Sequence, residues 1–224
     1  MGITLRWAHA RPDRLANPNA MTSAAKRDLR HAARSRRREI ARLLDEEARA
    51  RASAAITEAV LRLVPGPGRV AVYESLPDEP PTGPLVEALL AAGHEVVVPV
   101  VLDDFSLEWR YAVPGTSGDH ATVRRPSHGG PALEEMDPQG WLGTDTLATC
   151  RLVVTPGLSV DRHGTRLGQG GGCYDRALVH RAPSTPVVTL LHEGEQSETD
   201  LPADEHDVPV DGYVTTTGRV VRVR

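Results

Sequence analysis

Apolar residues recur along this chain in two rhythms. From about Ser23 to Val64 they keep close to a 3.6-residue period, at Leu29, Ala33, Ile40, Leu43, Leu44 and Ala48. That spacing predicts helix, with a break near Leu44–Asp45 dividing it in two. "VPGPG" (64–68) stops the pattern. Beyond it the apolar residues come in short unbroken runs: "RVAVY" (69–73), "HEVVVPVV" (94–101), "RLVVTPG" (151–157) and "PVVTLL" (186–191) predict buried strands. "LEWRY" (107–111) and "YVTT" (213–216) predict shorter ones, with "RVVRV" (219–223) as an addition. Between them, "TGPLVEALLAAG" (82–93) reads as a helix ended by glycine, and "YDRALVHRA" (174–182) as a helix closed by Pro183. Residues 114–146 are loop-rich, with a short helix at 131–136, and no internal repeat is visible.

Val-rich strands that alternate with helices predict an α/β fold, a parallel sheet covered on both faces. In such folds ligands bind at the carboxyl ends of the strands. The segment that follows strand 151–157 is therefore where chemistry is expected.

Composition changes this picture little. At 224 residues the chain is long enough for one large domain, and 40 % hydrophobic with 25 % charged residues is ordinary for a soluble protein. The net charge of −4 gives no general attraction to polyanions. A basic stripe does exist, Lys26, Arg30, Arg34 and Arg38 at i, i+4 spacing, but no aromatic residues interleave it. Nucleic acid is thus not an expected partner, and most of the stripe reads as a solvated face. No apolar run is long enough to cross a bilayer, and the N-terminus lacks the apolar core of a signal peptide, so no membrane partner and a cytoplasmic location are expected. Residues 1–20 have no sustained period and read as a disordered extension, leaving 21–224 as the domain. The two cysteines, Cys150 and Cys173, lie in no metal-binding spacing, and the nine histidines form no ligand set.

The densest chemical signal is "RLGQGGGCYD" (166–175), where Gly168, Gly170, Gly171 and Gly172 fall within five positions. Glycine costs folding entropy and adds no packing, so something there needs bare backbone. Such a loop can form a nest of N–H groups for phosphate oxygens, with a helix start adding positive field and Arg166 and Arg176 adding charge. It is neither GxxxxGK[ST] nor GxGxxG. Asp175 at the loop exit suits Mg²⁺ or the helix dipole equally, and Asp207 in "DEHDVPVD" is a second hard-oxygen donor that by itself reads as a solvated loop residue. Cys173 reads as a small apolar side chain rather than a nucleophile.

With these segments in order, "PGLSVDRHGTRLGQGGGCYDRAL" (156–178) resembles the signature of the 5-formyltetrahydrofolate cyclo-ligase family. "KRDLR" (26–30), "LPDEPPTGPLVEALLAAGHEVVVPVV" (76–101) and "EQSETDLPADEHDVPVDGYVTT" (195–216) are similar to its other motifs in the same order. The resemblance implies a single-domain, three-layer α/β/α fold and an ATP-dependent ring closure of 5-formyltetrahydrofolate to 5,10-methenyltetrahydrofolate, with ADP and phosphate released. It assigns ATP to Lys26, Arg27, Asp28, Leu29, Arg30, Arg166, Leu167, Gly168, Gln169, Gly170, Gly171, Gly172, Cys173 and Tyr174. Lys26, Arg30 and Arg166 become the catalytic residues, and Asp175 and Asp207 the Mg²⁺ ligands. Folate falls to Glu74, Glu79 and residues 169–173. A monomer or weak homodimer is expected.

Three departures stand out: Cys173 where the family usually has Tyr, Val160 where it usually has Phe, and Arg125 where a Glu commonly precedes the Pro. They keep two alternatives open, a nucleotide-binding paralogue with another substrate and a non-catalytic folate or nucleotide module.

Overall fold

The computed structural model describes residues 23–115 and 141–223, so the N-terminal extension, the helix expected at 131–136 and Arg125 lie outside the described residues. The helical stretch divides where its period breaks, into α1 (Ser23–Leu43) and α2 (Glu46–Leu63). Asp45 is the reason: its carboxylate accepts the Ala48 N–H at 2.7 Å as an N-cap, and Glu46 and Glu47 add charge that favours a helix start. Arg49 secures the elbow by donating to the Ala41 carbonyl at 2.6 Å.

Seven strands form the main sheet: β1 (Arg69–Ala71), β2 (Glu95–Val101), β3 (Leu107–Tyr111), β4 (Cys150–Pro156), β7 (Val187–Leu191), β8 (Gly212–Thr215) and β9 (Val220–Arg222). Their order is β3-β2-β1-β4-β7-β8-β9. The five inner strands are parallel, whereas β3 and β9 pair antiparallel at the edges. A hairpin return needs only a short turn, which explains why these short segments reverse. Between β4 and β7 the chain also forms a separate hairpin, β5 (Ser159–Val160) with β6 (Arg166–Leu167), which the apolar pattern does not announce.

Helix α3 (Gly83–Ala91) joins β1 to β2, and α4 (Cys173–Leu178) lies between β4 and β7. Strand order runs one way from β1 to β2 and the other way from β4 through β7 to β8. Right-handed connections in opposite directions put their helices on opposite faces, giving three layers. α4 is shorter than the sequence predicts. After Leu178 the chain tightens into i→i+3 bonds, His180 N to Ala177 O at 3.0 Å and Arg181 N to Leu178 O at 3.3 Å, and Val179 is left exposed.

The core is built from the Val-rich strands, with Val70, Val97, Val153, Val187, Val188 and Val214 fully buried, and with the Trp109 ring fully buried among them. The reversal of strand order between β1 and β4 opens a crevice at their carboxyl ends.

Candidate functional site

That crevice is a cleft of about 400 Å³. Tyr73 and Glu74 after β1, Pro99 and Val101 on β2, and Pro156 and Gly157 at the end of β4 form its floor. The glycine segment, Leu167 through Asp175, forms one wall.

The hairpin aims this wall. In "SVDRHGTR", the Asp161 side chain accepts the N–H groups of His163 at 2.8 Å and Thr165 at 2.9 Å, and its other oxygen accepts Leu201 N–H at 2.8 Å. This buried Asx turn reverses the chain and returns Arg166 beside the end of β4. Arg166 donates to the Pro156 carbonyl at 3.2 Å and pairs with Asp175 at 3.2 Å, its guanidinium 5.6 Å from the Tyr174 ring centre. Gly157 permits this approach: a Cβ there would meet Thr189 Cγ2 at 2.6 Å and Arg166 Cγ at 3.2 Å. Gly170 has φ +108°, which L side chains rarely adopt. Two buried polar atoms of this wall, Arg166 Nε and Tyr174 Oη, have no hydrogen-bond partner. Buried polar groups are ordinarily satisfied, so this pair marks a place for a ligand.

Helix α1 supplies the facing wall. Lys26 and Arg30, one turn apart, both line the cleft. Lys26 Nζ contacts Asp204 at 2.6 Å and Asp207 at 2.9 Å. Burial works against its ammonium, but the two carboxylates outweigh this and hold its pKa above 10.5. Arg30 Nε donates to Gly168 O at 3.2 Å, and Arg34 donates to Gln169 Oε1 at 2.8 Å and Gln169 O at 2.6 Å. The expectation of a mostly solvated stripe is thereby corrected in part: Lys26 and Arg30 line the cleft, Arg34 reaches Gln169 of its wall from the exposed side, and Arg38 stays exposed.

Of the five residues 26–30, the structure does not bring Arg27, Asp28 or Leu29 to the cleft. A helix presents i and i+4 on one face, so Arg27 and Asp28 point outward. Leu29 packs instead with Leu158, Leu167 and Leu201, gluing α1 to the hairpin.

Opposite lie two glutamates. Glu74 is held by Arg110 through both carboxylate oxygens, at 3.0 and 3.1 Å. Glu79 is 6 % exposed; it accepts the Leu76 N–H at 3.1 Å and stands 3.7 Å from the Arg37 guanidinium. Burial pushes its carboxyl above the ordinary 4.5, against the lowering pull of the Leu76 N–H and Arg37.

The acidic pair expected to hold Mg²⁺ also lines the cleft. Asp175 Oδ1 accepts Val208 N–H at 3.3 Å besides pairing with Arg166, and Asp207 Oδ2 accepts Asp204 N–H at 2.7 Å besides Lys26. Among the described residues no group of three or more His, Cys, Asp or Glu is arranged to hold a metal ion alone. Two hard carboxylates without a third suit an ion that arrives on phosphate oxygens and keeps its waters, not an all-protein cage.

Cys173 lines the cleft where a Tyr is usual, but Val160 is fully buried in β5 and does not line it. The Val160 departure is therefore a change in packing. α4 has only six residues, so field from a helix start contributes less here than the arginines do.

Sequence reasoning read Arg34 as part of a solvated face and missed Arg37, Asp161, Asp204 and Glu195. Arg37 had a signal, since it falls between Ala33 and Ala41 on the apolar face of α1 while looking like one more charge in "RSRRRE". Phe105 was also missed, and it has φ +64°, the one positive φ outside glycine among the described residues. Arg176 holds it by donating to Phe105 O at 2.6 Å and Gly171 O at 3.0 Å.

Comparison with known proteins bears on the family and the fold. Residues 22–216 match the 5-formyltetrahydrofolate cyclo-ligase family. A 5-formyltetrahydrofolate cyclo-ligase of Mycolicibacterium smegmatis is 31 % identical over 161 residues, 69 % of this chain and 77 % of that protein. The mouse enzyme of the same name is 28 % identical over 203 residues, 84 % of this chain and 92 % of its own. The solved 5,10-methenyltetrahydrofolate synthetase of Aquifex aeolicus superposes with TM-score 0.61 at 25 % identity, covering 89 % of this chain and 93 % of that one. The fold is shared also with the Mycoplasma pneumoniae synthetase, TM-score 0.61 at 16 % identity, over 85 % of this chain and 99 % of that one. Sheet order, glycine wall and match along nearly the whole described chain lead to one conclusion: the protein belongs to the 5-formyltetrahydrofolate cyclo-ligase family.

Proposed function

We propose that this enzyme closes the ring of 5-formyltetrahydrofolate at the expense of ATP, releasing 5,10-methenyltetrahydrofolate, ADP and phosphate. The observation that carries the reading is convergence: Lys26, Arg30 and Arg166 meet the glycine wall in one cleft, where Arg166 Nε and Tyr174 Oη are buried without partners. Three cations and bare backbone suit a triphosphate, and the apolar side of the cleft, Pro99, Val101 and Leu107, suits a flat heterocycle.

In this reading the N5-formyl oxygen attacks the γ-phosphorus, forming an O–P bond as the bond to ADP breaks. N10 then attacks the activated carbon, its proton leaves, and the carbon–oxygen bond breaks to release phosphate. Neither step needs a protein nucleophile. Positioning and neutralisation of phosphoryl charge dominate such transfers, which fits cations and N–H groups around the loop. Lys26 and Arg30 hold phosphate oxygens from the α1 side, and Arg166 holds them from below. Mg²⁺, when bound, neutralises phosphate charge; Asp175 and Asp207 are the residues that would hold it. Glu74 and Glu79 face the folate, Glu74 with its charge already met by Arg110.

The test mixes protein, 5-formyltetrahydrofolate, ATP and Mg²⁺ and follows the methenyl chromophore. ATP-dependent appearance supports the reading. Nucleotide binding without chromophore would leave the phosphate site standing and remove the folate assignment.

A further inference from the structure

Beneath the cleft lies a charged cluster of which this chemistry uses only Glu79. Arg37 of α1 is 1 % exposed. Its Nε and Nη2 each donate to a Glu195 oxygen at 2.8 Å, Nη2 donates also to the Gly157 carbonyl, and Nη1 stands 3.7 Å from Glu79. Glu195 in turn accepts the His192 N–H at 2.8 Å, and His192 Nε2 lies 3.0 Å from the Asp78 carbonyl, next to Glu79 in sequence. One guanidinium thus ties α1, the end of β4, the segment after β7 and the loop after β1.

The count of charges is what gives this cluster consequence. Two buried carboxylates share one cation, and Glu195 takes its bidentate face. Glu79 keeps the longer contact, the Leu76 N–H and an edge on the cleft. A buried carboxylate so placed needs further donors, and a ligand in the cleft is where they come from. A buried arginine is costly unless it organises its partners, and this one spans three of them with its fork.

We infer that Arg37 is a positioning residue for the folate half of the reaction, orienting Glu79 and sharing its charge between Glu79 and Glu195. The inference rests on the reading of Glu79 as a folate-facing group. Besides Arg37 and Glu195, the charged and titratable groups acting on Glu79 are Asp78 from its own loop, Tyr73 just after β1 and Tyr174 from α4. Arg37 does not line the cleft, so it acts only through its partners.

The test compares wild type with Arg37→Lys, which keeps the charge and loses the fork, and with Arg37→Gln/Glu195→Gln, which replaces the pair by a neutral one. Three readouts are taken: kcat and KM for each substrate, the pH profile of kcat/KM for folate, and the Glu79 carboxyl titration by carbon NMR, assigned with Glu79→Gln. Expected in Arg37→Lys are a rise of about tenfold or more in folate KM, an ATP KM within about twofold of wild type, and a Glu79 titration moved upward. The double variant should move the Glu79 titration upward by less, because losing the lowering pull of Arg37 outweighs, but is partly offset by, losing the raising push of Glu195. A purely structural Arg37 would loosen α1, which also carries Lys26 and Arg30, and would raise both KM values together. Equal rises, or a Glu79 titration unmoved in both variants, would overturn the inference. The titration needs no turnover: if the wild type makes no chromophore, the functional reading fails by itself while the link between Arg37 and Glu79 is still decided.

Discussion

Lys26 Nζ and Asp207 Oδ2 are 2.9 Å apart across 181 residues of sequence, with Asp204 on the same ammonium at 2.6 Å. The lysine expected to hold phosphate is thus held by carboxylates, and a nucleotide entering the cleft competes with them. Lys26→Met is expected to raise ATP KM by about 10- to 100-fold, with folate KM little changed. Steady-state kinetics checks this, and an unaltered ATP KM would remove Lys26 from the phosphate site.

The same contact sets a pH window for stability. The Lys26 hydrogen bond holds the Asp204 carboxyl below its ordinary 3.8, so its contribution is present above that value and fades as pH falls through the lowered one. Lys26 stands above 10.5, so its contribution is complete below that value and is lost as pH rises through the raised one. Asp204 is largely exposed, so the pair adds no more than about 1 kcal/mol. Urea titrations of wild type and Lys26→Met should differ between these limits and draw together as pH falls through the lowered Asp204 value.

Arg166 makes its contacts with both arms of a planar fork, to Pro156 O and Asp175. Arg166→Ala is expected to lower kcat/KM about 1,000-fold with the fold retained, and Arg166→Lys to recover little of it. Circular dichroism beside the chromophore assay separates the two effects. Turnover like wild type in Arg166→Ala would displace the phosphate site from this wall.

Phe105 sits at φ +64° with its ring against the glycine wall, where a Cβ on Gly171 would meet Phe105 Cδ1 at 3.1 Å. Phe105→Gly relieves the left-handed strain, of order 1 kcal/mol, and removes the ring that backs the loop. Thermal unfolding should show little loss of stability while turnover falls about tenfold. Equal activity would mean that Arg176 alone seats the loop.

Glu79→Gln separates stability from function. Because burial raises the Glu79 carboxyl, native protein holds its proton to higher pH than the unfolded chain does, and stability declines as pH rises from 4.5 through the raised value. The neutral amide escapes this cost, so the variant should be at least as stable as wild type at pH 7, with kcat/KM for folate reduced about 100-fold. A variant much less stable at pH 7 would mean that Glu79 is ionised and satisfied by protein alone.

The glycine wall was legible because its chemistry is local. Four glycines between Arg166 and Tyr174 announce bare backbone whatever surrounds them, and the break at Leu44–Asp45 is local in the same sense, one carboxylate capping three residues ahead. Arg37 was not legible. A charge on an apolar face looks like any member of "RSRRRE" until Glu195 and Gly157 meet it from 158 and 120 residues away. Nor does local pattern say that Arg27 and Asp28 turn outward while Lys26 and Arg30 turn in, for that depends on which side of α1 the hairpin packs.

The sequence by itself determined the alternation of Val-rich strands and helices, the loop that needs no side chains, and the ordered motifs of one enzyme family, because each depends on neighbours a few residues apart. Only the tertiary structure decided which charges are paired. Burial makes a charge's partner a condition of folding, and for Lys26, Arg37 and Glu79 that partner is set by how strands β1, β4 and β7 lie side by side.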